Sequence, residues 1–326
     1  MSESNIAVVI PCYKVKTSIE KVISDIPSVV GRIYCIDDCC PDKSGDFIEE
    51  KITDPRVKVL RNNVNLGVGG AVMHGYRAAH DDGYHIAVKI DGDGQMDPLL
   101  LPAFVRPILN GEADYTKGNR FYNLRYLESM PAKRLIGNAA LSFISKISTG
   151  YWHLFDPTNG YTALHLSLLD LLPFDKISKR YFFESDLLFR LNIARACVKD
   201  VPMKAVYGDE ESHLKINQIL LPFLKGHLKN VAKRFFYSYI LRDFQVASLN
   251  FILGFILFFF GIIFGSIEWL QSIQTGEPAT AGTVSLAVLP IFIGVQLVLS
   301  AINNDILNVP RAPLHPTLED ETLPPQ

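Results

Sequence analysis

The sequence predicts an α/β fold, a mostly parallel sheet with helices on both faces, followed by two helices that cross a membrane. Three observations lead there. Strand-like and helix-like stretches alternate through the first 120 residues. Polar and acidic residues recur where the strands should end. Residues 244 to 267 and 278 to 304 contain no Asp, Glu, Lys or Arg.

The alternation runs as follows. "NIAVVIP" is a continuous β-branched run closed by proline, hence a buried strand. "TSIEKVISDIP" follows as a helix, with Thr17 or Ser18 placed to cap it. "GRIYCID" is a strand, "DKSGDFIEEKI" a helix, "RVKVLRN" a strand, "GVGGAVMHGYRAAHDDG" a helix and "HIAVKID" a strand. A βαβ series of this kind closes into a mostly parallel sheet, whose ligands bind at the carboxyl ends of the strands. Pro11-Cys12-Tyr13, Asp37-Asp38, Asn62-Asn63 and Asp91 with Asp93 all fall at such ends. From about 120 to 213 the pattern is irregular.

Four parts are therefore expected: a catalytic domain over 1–213, basic amphipathic helix over 214–243, two spans over 244–304, and a flexible tail over 305–326. "FILGFILFFFGIIFGSI" and "TVSLAVLPIFIGVQLVLSAI" are each long enough for a bilayer core of roughly 30 Å, a buried soluble helix being the alternative. In the segment before them, Lys225, Lys229 and Lys233 share one face, while Leu224, Leu228, Val231 and Phe235 share another. Such a helix suits anionic headgroups, or is an ordinary solvated charged face. Pro222 should start or kink it.

The net charge of -2 argues against a nucleic-acid binder. "MSESNIAVVIPCYK" has no basic leader, which places the polar part in the cytoplasm as an expectation. An odd set of five cysteines, with no Cys-x-x-Cys pair, suits reduced thiols and gives no zinc site. The loop "EWLQSIQTGEPATAG" holds no Lys or Arg, whereas its flanks hold Lys233, Arg234, Arg242 and Arg311. That asymmetry predicts an integral protein of the cytoplasmic membrane with both termini cytoplasmic. A homo-oligomer is allowed.

The densest chemistry is "KIDGDGQMDP". Two carboxylates one residue apart on a glycine turn repel unless a cation sits between them. Hard divalent ions such as Mg²⁺ or Mn²⁺ take such oxygens and share their remaining positions with phosphates. Asp91 and Asp93 are the candidate ligands, with the Gln95 carbonyl beside them. An ordinary acidic turn is the alternative. "GVGGAVMHG" follows the third strand rather than the first, so it opens a helix tightly instead of binding a dinucleotide. His74, His80, His85, His153 and His165 share no spacing, and each reads as structural or exposed.

The stretches "VVIPCYK", "IDDCCPDKS", "NVNLGVGGAVMHGY", "DGDGQMDP", "KGNRF", "DPTNGYTAL" and "ESDLLFRL", in this order, resemble a family 2 glycosyltransferase of the GT-A fold. The similarity is to the dolichyl-phosphate mannose synthase and bacterial polyprenyl-phosphate glycosyltransferase group, and covers about the first 215 residues. It implies transfer of one sugar, with inversion, from a nucleotide-diphosphate sugar to a polyprenyl phosphate, with the lipid bilayer as partner. It implies that Pro11, Tyr13, Asp37, Asp38, Asn65 and Gly67 meet the nucleotide sugar, together with Asp91 and Arg120. Asp91, Asp93 and Gln95 would hold the metal, and Arg134, Ser212 and Lys215 the acceptor phosphate. Asp156, Asp93, Glu184 and Asp186 would be catalytic.

Two stretches depart from the family pattern. Cys40-Pro41-Asp42 replaces a small-residue S-x-D, and "YGDEESHLK" puts Tyr207 near an expected arginine, which weakens the assignment of Ser212 and Lys215. A processive polysaccharide synthase would carry Gln-x-x-Arg-Trp, and neither Trp152 nor Trp269 follows an arginine. A catalytically inactive nucleotide-sugar scaffold is the other alternative.

Overall fold

The computed structural model describes residues 5–122, 132–204 and 216–319, and for 132–136 and 216–220 the backbone alone. The alternation read from the sequence is present: β1 (Ile6–Cys12), α1 (Ile19–Ser24), β2 (Arg32–Asp37), α2 (Ser44–Lys51), β3 (Val57–Arg61), α3 (Val68–Asp81) and β4 (Ile86–Lys89). Then come α4 (Leu101–Leu109), β5 (Tyr115–Asn119), α5 (Ala132–Thr149), β6 (Thr162–His165), α6 (Phe183–Ala194) and β7 (Val198–Pro202). The chain continues through α7 (Ile216–Arg234), a π-helical stretch Phe235–Arg242, α8 (Val246–Thr275), α9 (Ala281–Leu307) and the single turn α10 (His315–Leu318).

The seven strands lie in the order β3-β2-β1-β4-β6-β5-β7. β1 pairs in parallel with β2 and β4, and β2 with β3, so their carboxyl ends share one edge. β6 alone is reversed, against β4 and β5, with Lys89 opposite Thr162 and Ile86 opposite His165. The reversal brings the start of β6 to the carboxyl edge and its end to the opposite edge. Val8, Ile10, Ile33, Val88 and Ile90 are fully buried beneath Ile19, Ile23 and Phe104. Each such side chain contributes about 1.5–3 kcal/mol when removed from water. The Phe104 ring stacks on Tyr161 at 3.9 Å between centroids and ties α4 to the loop before β6.

The molecule has two compact units, Met1–Val231 with Pro310–Gln326, and Ala232–Val309. The chain leaves the first at Val231 and returns to it at Pro310. The expected flexible tail is corrected here for Pro310–Glu319. Asp114 is fully buried, and its carboxylate accepts the backbone N–H groups of Leu314 (2.8 Å) and His315 (2.9 Å) and the His315 imidazole Nδ1 (2.8 Å). A buried carboxylate without those donors would be costly, and that holds the segment down.

In the second unit α8 and α9 are long and apolar enough to cross a membrane, and only 22% and 17% of their most apolar windows are buried. A core helix of a soluble protein would be mostly buried. α8 runs past its charge-free stretch until Gly276, at φ 71°, ends it, and α9, capped by Thr280, continues to Leu307. Small residues let the backbones meet: a Cβ on Gly254 would lie 2.9 Å from the Gly294 carbonyl, and one on Gly261 2.6 Å from the Ala287 carbonyl. Pro222 lies inside α7 rather than at its start.

Candidate active site

The acidic turn sits where expected, at the carboxyl end of β4. Ser18 makes no cap hydrogen bond; its hydroxyl instead donates to the Gly92 carbonyl at 2.7 Å and holds the turn from the side of α1. Gly94 takes φ 79°, and Asp93 Oδ1 accepts the Gln95 N–H at 2.9 Å. Asp93 and Gln95 are exposed, and Asp91 is half-buried. Behind Asp91 lies Lys89, whose Nζ is 2.8 Å from Asp91 Oδ1 and 3.5 Å from Glu184 Oε1 at the start of α6. Burial by itself would lower the Lys89 pKa, but the two carboxylates outweigh it and raise it, so the ammonium stays charged.

A second cluster stands at the junction of β5 and β6. Asp156, 2% exposed, is held by Arg120: Nε donates to Oδ2 at 2.7 Å and Nη2 to Oδ1 at 2.9 Å. Asn159 Nδ2 adds a bond to Oδ2 at 3.2 Å. Burial opposes the charge on Asp156, yet Arg120 and Lys117 hold its pKa below the usual carboxylate value. Lys117 is fully buried, donates from Nζ to the Asn159 carbonyl at 2.6 Å, and is brought down to about 8 by burial. The loop from Asp156 to Tyr161 joins the two clusters. A Cβ on Gly160 would lie 2.6 Å from Asp91 Oδ2 and would collide with Lys89 Nζ, so only glycine lets the loop pass.

The ends of β1, β2 and β3 are arranged differently. Asp37 Oδ1 accepts the Cys40 N–H at 2.7 Å and Oδ2 the Gly45 N–H at 2.6 Å. Asp38 accepts from the Leu66 N–H (2.9 Å), the Gly67 N–H (2.7 Å) and Asn62 Nδ2 (2.8 Å). Both side chains are buried, at 7% and 3% exposure, and turned into the loops they hold. Asn65 Nδ2 reaches the Asp38 carbonyl at 3.3 Å, and Gly67, at φ 83°, opens α3. Tyr13, 46% exposed, and the half-buried Pro11 stand at the mouth.

Asp186 is not brought to this edge cluster. Its Oδ2 accepts the Ser178 N–H at 2.9 Å and faces Arg190 Nη2 at 3.2 Å, while Oδ1 accepts Asn230 Nδ2 at 3.1 Å. Asp186, expected to be catalytic, stands two residues after Glu184, about 200° round the helix, so it points to the opposite side, and its carboxylate fastens α6 to the preceding loop and to α7. Arg134 lies on α5, its side chain outside the described residues, and Ser212 and Lys215 lie outside them altogether. Lys89, Lys117, Asn159 and Gly160 are contributors that sequence reasoning missed. The one available sign was a lysine inside each of two otherwise buried strands, "IAVK" and "YTKGN".

A parallel sheet with one reversed strand, an acidic turn at its carboxyl edge and an Arg–Asp pair beside it make this a GT-A glycosyltransferase. The family model described as Glycosyl transferase family 2 matches residues 7–172. The chain belongs to glycosyl transferase family 2. It is 28% identical over 223 residues to a UDP-N-acetylglucosamine–dolichyl-phosphate N-acetylglucosaminyltransferase of Methanococcus voltae, covering 64% of this chain and 88% of the relative. It is 30% identical over 202 residues to an undecaprenyl-phosphate mannosyltransferase of Micrococcus luteus, covering 61% and 82%. Among solved structures, glucosyl-3-phosphoglycerate synthase of Mycobacterium tuberculosis, in complex with Mn²⁺, UDP and glucosyl-3-phosphoglycerate, superposes with a TM-score of 0.50 at 19% identity, covering 70% of this chain and 79% of that one.

Proposed function

We propose that this protein transfers one sugar from a UDP- or GDP-sugar to a polyprenyl phosphate at the cytoplasmic face of the membrane, inverting the anomeric carbon. The observation that carries the reading is the pair of linked clusters, Lys89–Asp91–Glu184 and Arg120–Asp156, on one sheet edge of a chain that also bears two membrane-length apolar helices. The relatives' names, which specify lipid-phosphate acceptors, support the acceptor class.

The donor diphosphate would lie along the acidic turn. Asp91, Asp93 and the Gln95 carbonyl offer an all-oxygen donor set, half-buried to exposed, which fits Mg²⁺ or Mn²⁺. Such an ion, when bound, neutralises the charge that develops on the departing nucleotide. Lys89 holds Asp91 in place and keeps the cluster from excess negative charge. Tyr13, 46% exposed, would present its ring to the base. Arg120 is held by Asp156 and its side chain is 28% exposed, which would let an already positioned cation meet phosphate with little reorganisation. The acceptor, a phosphate monoester with a second pKa of about 6, is already a nucleophile near neutral pH. A strong base is therefore unnecessary, and Asp156, engaged by Arg120, orients rather than abstracts. Arg134 on α5 remains the candidate for the acceptor phosphate. α7 leaves Leu221, Leu224 and Leu228 exposed beside Lys225 and Lys229, the composition of a helix seated among headgroups.

The test uses sealed membrane vesicles of both orientations, loaded with a polyprenyl phosphate and given radiolabelled UDP- or GDP-sugars with Mn²⁺. Inverted vesicles should form one alkali-stable lipid-linked sugar, and right-side-out vesicles none. Absence of lipid product with every donor would overturn the transferase reading in favour of a scaffold. Product chains of many sugars would favour a processive synthase.

A further inference from the structure

The edge of the sheet opposite the active site carries a cluster that the sequence scatters over more than 200 positions. His85 precedes β4, His165 ends the reversed β6, and the two are neighbours because Ile86 pairs with His165. Glu319 arrives from the segment that follows α9. His85 Nδ1 and His165 Nε2 lie 3.1 and 3.2 Å from the same oxygen, Glu319 Oε1. The three ligand atoms all lie within 4.8 Å of one another.

We infer that His85, His165 and Glu319 form a binding site for a divalent transition ion of zinc type, which clasps the post-span segment to the catalytic domain.

Zinc bonds to imidazole nitrogen and carboxylate oxygen are about 2.0–2.1 Å long, so neighbouring ligands of a tetrahedral ion stand roughly 3.3 Å apart. The distances of 3.1 and 3.2 Å to Glu319 match that edge. His165 is 1% exposed, and its Nε2, pointing into the cluster, has no hydrogen-bond partner. A buried imidazole nitrogen left so is costly unless something binds it. Its other nitrogen, Nδ1, lies 2.8 Å from Ser167 Oγ, which fixes the ring as partners of zinc-bound histidines do.

The third ligand is delivered by a separate device. His315 stacks on His165 at 4.3 Å between ring centroids and is bonded to Asp114 at 2.8 Å. Glu319 lies one helical turn beyond, on the same face of α10, and so falls over His85 and His165. Two imidazoles and one carboxylate leave a fourth position for water. The set differs in kind from the all-oxygen acidic turn on the far edge: nitrogen ligands select zinc over magnesium.

The experiment uses the full chain in detergent, stripped with chelator and held in excess Mg²⁺ to saturate the acidic turn. Zn²⁺ is then titrated and counted per chain, and Co²⁺ serves as a spectroscopic probe. The wild type should retain one Zn²⁺ and give the visible absorption of tetrahedral Co²⁺. His165→Gln and Glu319→Gln should each weaken binding at least about tenfold and remove that absorption. Glu319 is at the surface, so its variant folds even where His165→Gln does not, and it decides the matter. Zn²⁺ should also slow proteolysis between α9 and α10 in the wild type and not in Glu319→Gln. No retained zinc in the wild type, or equal affinity in Glu319→Gln, overturns the site.

Discussion

The two halves of the carboxyl edge both collect buried or half-buried carboxylates, but satisfy them by different means. At the ends of β2 and β3, Asp37 and Asp38 accept backbone N–H groups and an asparagine amide. At the ends of β4 and β5, Asp91, Glu184 and Asp156 face Lys89 and Arg120. Backbone donors fix loop shape and leave nothing over. Side-chain cations instead bring charge to the edge: Lys89 stays buried between Asp91 and Glu184, while the Arg120 side chain keeps 28% of its surface exposed. On the proposed function, the first half shapes the mouth and the second half acts.

The largest effect should come from the acting half. Asp93→Asn should lower sugar transfer roughly 10²- to 10³-fold, the cost of one lost electrostatic contact to a transition state, with an unchanged thermal midpoint. Near wild-type turnover under limiting Mn²⁺ would break the comparison. Next, Asp156→Asn removes the counter-charge of Arg120 and should cost about 3 kcal/mol of stability at neutral pH. The Asp156 pKa is depressed on folding, so its contribution is full above the unfolded carboxylate value of ~3.9 and fades as pH falls through the lower folded value. The gap between wild type and Asp156→Asn in urea unfolding should accordingly narrow in acid; a constant gap would mean that the aspartate acts by shape alone.

The smallest effect distinguishes the shaping half. Asp38→Asn keeps the size but loses an acceptor for the Leu66 and Gly67 N–H groups, at about 1–3 kcal/mol. If Asp38 only holds the loop, stability should fall while donor KM, measured well below the new midpoint, changes less than threefold. A large KM change at intact stability would move Asp38 into the acting half and erase the distinction.

This difference explains what could be read beforehand. The strands and helices up to β4 were legible because β-branched runs and turn residues alternate cleanly from Asn5 to Ile90. The acidic turn and the Arg120–Asp156 pair were legible as residues at strand ends or in family-like stretches. The reversed strand β6 was not: "TALH" is four residues long, buried, and has no period that shows direction. Without that reversal, nothing links His165 to His85, or Gly160 to Asp91. Nor does sequence show which oxygen an aspartate offers to its own loop, so the loop bonds of Asp37 and Asp38 and the α6–α7 bonds of Asp186 come from the structure alone. The tail read as flexible because its proline-rich composition is that of a linker; one buried aspartate 200 positions upstream overrides it.

The return of the chain at Pro310 also sets an order of assembly. Asp114 and its partner Leu314 are separated by 200 residues. At about 5–20 residues per second, roughly 10–40 s pass between the synthesis of the two. During that interval Asp114 has the Cys197 N–H but lacks the Leu314 and His315 donors. The apolar helices are therefore synthesised before the α10 turn of the catalytic unit exists. A nascent chain arrested after α8 would thus lack the Leu314 and His315 donors and leave the Asp114 carboxylate short of partners.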